Sequence, residues 1–217
     1  MAAIIFIALI TAKEDRLASF KEVTYALWSN EAHEAYLKVL LRARKHGVPV
    51  FFVGYSLGGL LGVDLLADKP AVHFDKMVLF APALAVQPVS YHLKPLKAFP
   101  GIVIDSESPE TYRANEGTPV AAYNALFEAL DHFEKTISKK LNIPTLVFID
   151  EGDEFVSYQH LKELIDNNKL DQWLVFDVQK DSGSAENSAH HMIIDEQCMG
   201  KAMWKRMREM TLRHLLN

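Results

Sequence analysis

The chain has 217 residues, 49% of them hydrophobic and 24% charged, with a formal net charge of -5 at pH 7. That size and balance describe one globular domain, residues 1–217, able to bury a substantial core, and they exclude a chain too polar to fold. Lys and Arg are scattered along it, which argues against a nucleic-acid partner or an anionic membrane surface. The single cysteine, Cys198, excludes an internal disulfide and suits a reducing, cytoplasmic compartment, with the thiol as a small packed side chain.

The first element is an apolar run, AAIIFIALITA. It has no positively charged leader and falls well short of the roughly twenty residues a membrane-spanning helix needs. Rich in β-formers, residues 3–10 are expected to form a buried strand rather than a signal peptide. Ala32, Ala35, Tyr36, Val39, Leu40 and Ala43 then recur at helical spacing, and Gly47 stands where that helix should stop. Four further strands are expected at 48–55, 76–84, 145–150 and 172–178. Most are unbroken apolar runs, as in parallel strands covered on both faces. Helices are expected from Gly59 to Ala67, from Ser157 to Asp166, and from Glu196 to Leu216. The segment 85–144 is too long for a simple crossover and reads as a lid insertion. In it Thr118 and Pro119 look like the N-cap and first position of a helix whose apolar face carries Val120, Tyr123, Phe127, Leu130 and Ile137. Strands alternating with helices imply an α/β fold, a mostly parallel sheet flanked by helices.

Between the second strand and the helix after it stands VGYSLGG, with the spacing Gly54-x-Ser56-x-Gly58. This is the nucleophile-elbow pattern, in which a serine occupies a strained strand-to-helix turn and small residues at its flanks let the two elements approach. The backbone N–H of Leu57, at the start of the helix, faces where an oxyanion would develop. No lysine follows the glycines, so a Walker-type phosphate loop is a poor alternative. A serine needs a base and a group to orient that base. Asp153 follows the strand at 145–150, and His190 and His191 follow the strand at 172–178. Ser56, Asp153, His190 is the chain order this elbow uses, and a parallel sheet would bring all three to its carboxyl edge.

These motifs make the chain resemble the α/β-hydrolase fold superfamily, with bacterial carboxylesterases and monoacylglycerol-lipase-like serine hydrolases as its nearest likeness, from about Val23 to the C-terminus. Thr24 and Trp28 match a Thr and a Trp that precede the elbow strand in that family, and Asp153-Glu154-Phe155-Val156 matches its acid followed three places on by an apolar residue. Asp150 stands where a glycine is common and is the understudy for the acid. The family histidine has an apolar residue two places on and often an acidic one five places on. From His190 these are Met192 and Asp195, which favours His190 over His191 as the base. Relatives begin with a strand ending in His-Gly whose loop gives a second oxyanion donor. His46-Gly47 instead reads as a helix stop, so the fold is expected to be N-terminally shortened and its activity reduced.

The resemblance implies a serine esterase acting on an acylglycerol or a short to medium acyl ester, without cofactor or metal and without stable membrane insertion. Two alternatives are a binding protein that retains the same residues without activity, and a thioesterase or amidase on the same triad. The other histidines lack metal-ligand spacing. Met199, Met203, Met207 and Met210 are expected to pack the last helix on the sheet, and Asp64 to be a surface or capping charge. Nothing in the sequence indicates an oligomeric state.

Overall fold

The computed structural model describes residues 20–105, 116–182 and 189–217. The strand expected at 3–10 and part of the expected insertion lie outside these residues. Helix α1, Tyr25–His46, begins where the Thr24 hydroxyl accepts the Leu27 N–H and ends at Gly47, whose φ of 61° allows the left-handed turn that closes it. Strand β1, Phe51–Tyr55, runs directly into α2, Ser56–Asp68. Strand β2, Lys76–Phe80, is followed by a 3-10 helix, Pro88–Ala98, and by the short antiparallel pair β3, Val103–Asp105, and β4, Gly117–Pro119. Then come α3, Val120–Thr136, β5, Thr145–Ile149, α4, Tyr158–Asn167, β6, Trp173–Asp177, α5, Glu196–Met199, and α6, Lys201–Leu216.

β1, β2, β5 and β6 form one parallel sheet in that order, so the four described strands expected from apolar runs pair as neighbours. Successive side chains of a strand point to opposite faces. Phe52, Met77, Leu79, Val147 and Ile149 accordingly meet α1 to α4, while Phe51, Val78, Leu146 and Phe148 meet Met199, Met207 and Leu215 of α5 and α6. Parallel neighbours need a crossover, which α2, α3 and α4 supply in turn. Helix α2 is buried from Gly59 to Leu66, as a helix with apolar residues all round must be.

Three expectations change in detail. Thr118 and Pro119 pair with β3, and Pro119 occupies the N-cap position with α3 starting at Val120. The expected last helix is two helices, because Gly200 has a φ of 81° and a Cβ there would fall 2.4 Å from Asp181. The Asp181 carboxylate caps α6 by accepting the N–H groups of Ala202 and Met203. Asp64 is no surface charge: it is 1% exposed, in the middle of α2, bonded to Tyr25 and His132. Within the segment 85–144, α3 buries Ala122, Phe127, Ala129, Leu130 and Phe133 in the core.

Candidate active site

At the carboxyl end of β1 the chain leaves the extended conformation at Tyr55, φ -119°, and enters α2 through Ser56, φ 48°. A left-handed serine costs about 1–3 kcal/mol and persists only where its surroundings impose it. Here the Ser56 carbonyl accepts the Ala83 N–H, tying the turn to the end of β2. The close approach of strand and helix rests on Gly54 and Gly59. A Cβ on Gly54 would lie 2.8 Å from the Gly59 Cα and the Phe52 ring, and one on Gly59 would lie 2.9 Å from Pro82. Gly58, expected to share that role, faces open space.

The acid turn follows β5. Asp153 is 1% exposed, and its Oδ1 accepts the N–H groups of Phe155 and Val156, both at 2.8 Å. Burying a carboxylate is costly unless its lone pairs are occupied. The remaining capacity faces a histidine, and that histidine is His191. Its Nδ1 lies 2.8 Å from Asp153 Oδ2 and its Nε2 lies 2.8 Å from Ser56 Oγ. A carboxylate only accepts, so Nδ1 carries the ring proton and Nε2 is left to accept from the serine hydroxyl.

His190, expected as the base, is turned away. Its Nδ1 lies 3.0 Å from Asp150 Oδ1, and 42% of its side chain is exposed. The correction has a local cause. The Glu154 carboxylate accepts the backbone N–H groups of both His190 and His191, at 2.7 and 2.9 Å, and the two adjacent side chains leave that shared backbone in different directions, one to Asp150 and one to Asp153. Only His191 points between the rings of Tyr55 and Phe155, each centred 5.2 Å from its own. Asp150, the understudy acid, serves His190 and the Gly152 N–H. Ser56 and Asp153 therefore stand together as expected, with the neighbouring histidine between them.

Several known proteins share this architecture. A model of the family described as serine aminopeptidase S33 matches residues 31–113. A metagenome-derived lipolytic enzyme superimposes with a TM-score of 0.61 at 20% identity, over 93% of this chain and 76% of that one. A soluble variant of monoglyceride lipase from Saccharomyces cerevisiae gives 0.61 at 14% identity, over 89% and 71%. The monoacylglycerol lipase of Paleococcus ferrophilus gives 0.56 at 15% identity, over 84% and 76%. No curated protein matches the chain in sequence.

This is an α/β-hydrolase fold. In this α/β-hydrolase fold the elbow opens into a cleft of about 360 Å³ whose walls include Leu57, Val86, Tyr123, Leu126, Met192 and Ile194. Leu57 lines this cleft, and as the second residue of α2 it has an N–H without an acceptor within the helix. A larger cleft of about 600 Å³, between the opposite sheet face and α6, is lined by Val53, Phe80, Trp204 and Arg208 and holds none of the expected site residues. Among the described residues no group of three or more His, Cys, Asp or Glu side chains is placed to hold a metal ion, and no helix is long and apolar enough to cross a membrane.

Sequence reasoning missed four contributors. Tyr55, inside the elbow motif, donates its hydroxyl to the His191 carbonyl at 3.3 Å. Burial, then the nearby charge of Asp153, pushes its phenol well above the usual range, which keeps it a neutral donor. Glu154 and Phe155 lie in the quoted acid motif, but only the folded turn aims them at the histidine loop. Gln87 was invisible: its side-chain amide donates to the Asp153 carbonyl from across the structure.

Proposed function

We propose that the protein is a serine hydrolase that cleaves carboxylic esters with an apolar acyl group. The observation that carries this reading is the hydrogen-bonded line Ser56 Oγ, His191 Nε2 and Nδ1, Asp153, one end of which opens into an apolar cleft. In the proposed reaction Ser56 Oγ attacks the acyl carbon while His191 Nε2 takes its proton. Asp153 stabilises the imidazolium and holds the ring. The Leu57 N–H donates to the oxyanion at the positive end of α2. Collapse of the tetrahedral intermediate expels the alcohol, which receives the proton from His191. Water then repeats the sequence on the acyl-enzyme and frees the acid.

An ester is favoured by the solved structures that share the fold, which include monoacylglycerol and monoglyceride lipases and Est1E from Butyrivibrio proteoclasticus with bound ferulic acid, while the serine aminopeptidase family model matched over residues 31–113 is the observation that favours an amide as the second reading. The segment 85–144 contributes Val86, Tyr123 and Leu126 to the cleft, and we assign it the role of shaping the acyl pocket. Treatment with a fluorophosphonate probe, together with turnover of a series of p-nitrophenyl esters, tests the reading. The expected result is one label per chain on Ser56 and turnover that depends on acyl length, both abolished in Ser56→Ala. A folded wild-type protein that neither labels nor turns over would overturn it.

A further inference from the structure

We propose that Glu154 is a positioning residue whose carboxylate, by holding the backbone of His190 and His191, keeps the His191 imidazole in line between Ser56 and Asp153; the inference rests on the hydrolase reading above. Asp153 and Glu154 are consecutive, yet they act on different parts of the same partner. Asp153 binds the ring through Nδ1, and Glu154 binds the main chain on which the ring is carried.

A ring held only by its side-chain bond to Asp153 keeps that bond while its Cα shifts, because rotation about the side-chain torsions compensates. Nε2 then moves relative to Ser56 Oγ, and a misplacement of about 1 Å costs on the order of 10²-fold in rate. Two adjacent N–H groups on one carboxylate remove that freedom, since both peptide planes are fixed by short, charge-assisted bonds. On the far side of the same residue the Tyr55 hydroxyl lies 3.3 Å from both the His191 carbonyl oxygen and Met192 Sδ, a further contact on the loop that carries the base.

Glu154 is itself exposed. Truncating it opens no cavity in the core, which separates a kinetic role from a packing one. The test compares Glu154→Ala and Glu154→Gln with the wild type on a p-nitrophenyl ester, counting active sites by fluorophosphonate stoichiometry and recording Tm. In Glu154→Ala, kcat per labelled site is expected to fall about 10- to 100-fold with KM changed by no more than about twofold, without a matching fall in Tm. Glu154→Gln, which retains one acceptor oxygen, is expected to recover part of the loss. A wild-type kcat in Glu154→Ala, or a loss accounted for by KM or by fewer labelled sites, overturns the assignment. Ser56→Ala and His191→Ala are measured alongside. If they are inactive while Glu154→Ala is fully active, the Glu154 role alone fails; if they retain activity, the hydrolase reading beneath it fails.

Discussion

Among the described residues, two constellations bring a hydroxyl, an imidazole and a carboxylate together, and only one has the arrangement that the proposed hydrolysis needs. Between α1, α2 and α3, the Tyr25 hydroxyl donates to Asp64 at 2.7 Å and lies 2.8 Å from His132 Nδ1, which is itself 2.8 Å from Asp64. The three groups close on one another in a ring. The tyrosine proton is already committed to the carboxylate, and burial together with Asp64 pushes the phenol well above its ordinary range. At the sheet edge the order is linear instead. Asp153 meets one side of the His191 ring and two backbone N–H groups, the serine meets the other side, and Ser56 stands on a strained turn facing a cleft. The same functional groups give a clasp where they satisfy each other, and the arrangement proposed for a nucleophile where the serine proton has one direction to go.

Substitutions separate the two. Ser56→Ala or His191→Ala is expected to lower kcat by about 10⁶ with the fold intact, as for removal of a nucleophile or its base elsewhere, read as ester turnover beside an unchanged circular dichroism spectrum. Asp153→Asn keeps the shape but favours the wrong ring tautomer, for a loss of about 10⁴ in kcat. Asp64→Ala should reverse the pattern. It leaves the half-buried His132 and Tyr25 without their shared acceptor, a loss of about 1–3 kcal/mol, so denaturant melts should show it while kcat per labelled site stays within about threefold. Should Asp64→Ala instead abolish turnover in folded protein, the clasp and the site are not independent. The smallest effect is expected from His190→Ala, a change in kcat of about threefold or less, because Asp150 holds that ring away from the serine.

The sheet was legible because parallel strands covered on both faces must be apolar throughout, and the runs at 48–55, 76–84, 145–150 and 172–178 contain β1, β2, β5 and β6. The elbow was legible because a strained turn beside a close helix restricts the residues that fit it. Which glycine makes that approach was not: Gly58 and Gly59 are adjacent, and only their direction in the folded helix separates them. The histidine was ambiguous for a similar reason. An apolar residue two places on and an acidic one five places on describe His190, through Met192 and Asp195, and equally His191, through Ile193 and Glu196. Asp195 in fact caps α5 by accepting the Cys198 N–H. The choice is made by Glu154, Tyr55 and Phe155, contacts between segments far apart in the chain. Asp64 was misjudged because one charge within GGLLGVDLLAD resembles a surface position until Tyr25 and His132, far apart in sequence, are brought against it.

The most direct measurement is the rate of fluorophosphonate labelling of Ser56, located by peptide mass spectrometry, in wild type, His190→Ala and His191→Ala. The account predicts rapid labelling of wild type and His190→Ala, and its loss in His191→Ala. Undiminished labelling of His191→Ala, or a loss confined to His190→Ala, would contradict it.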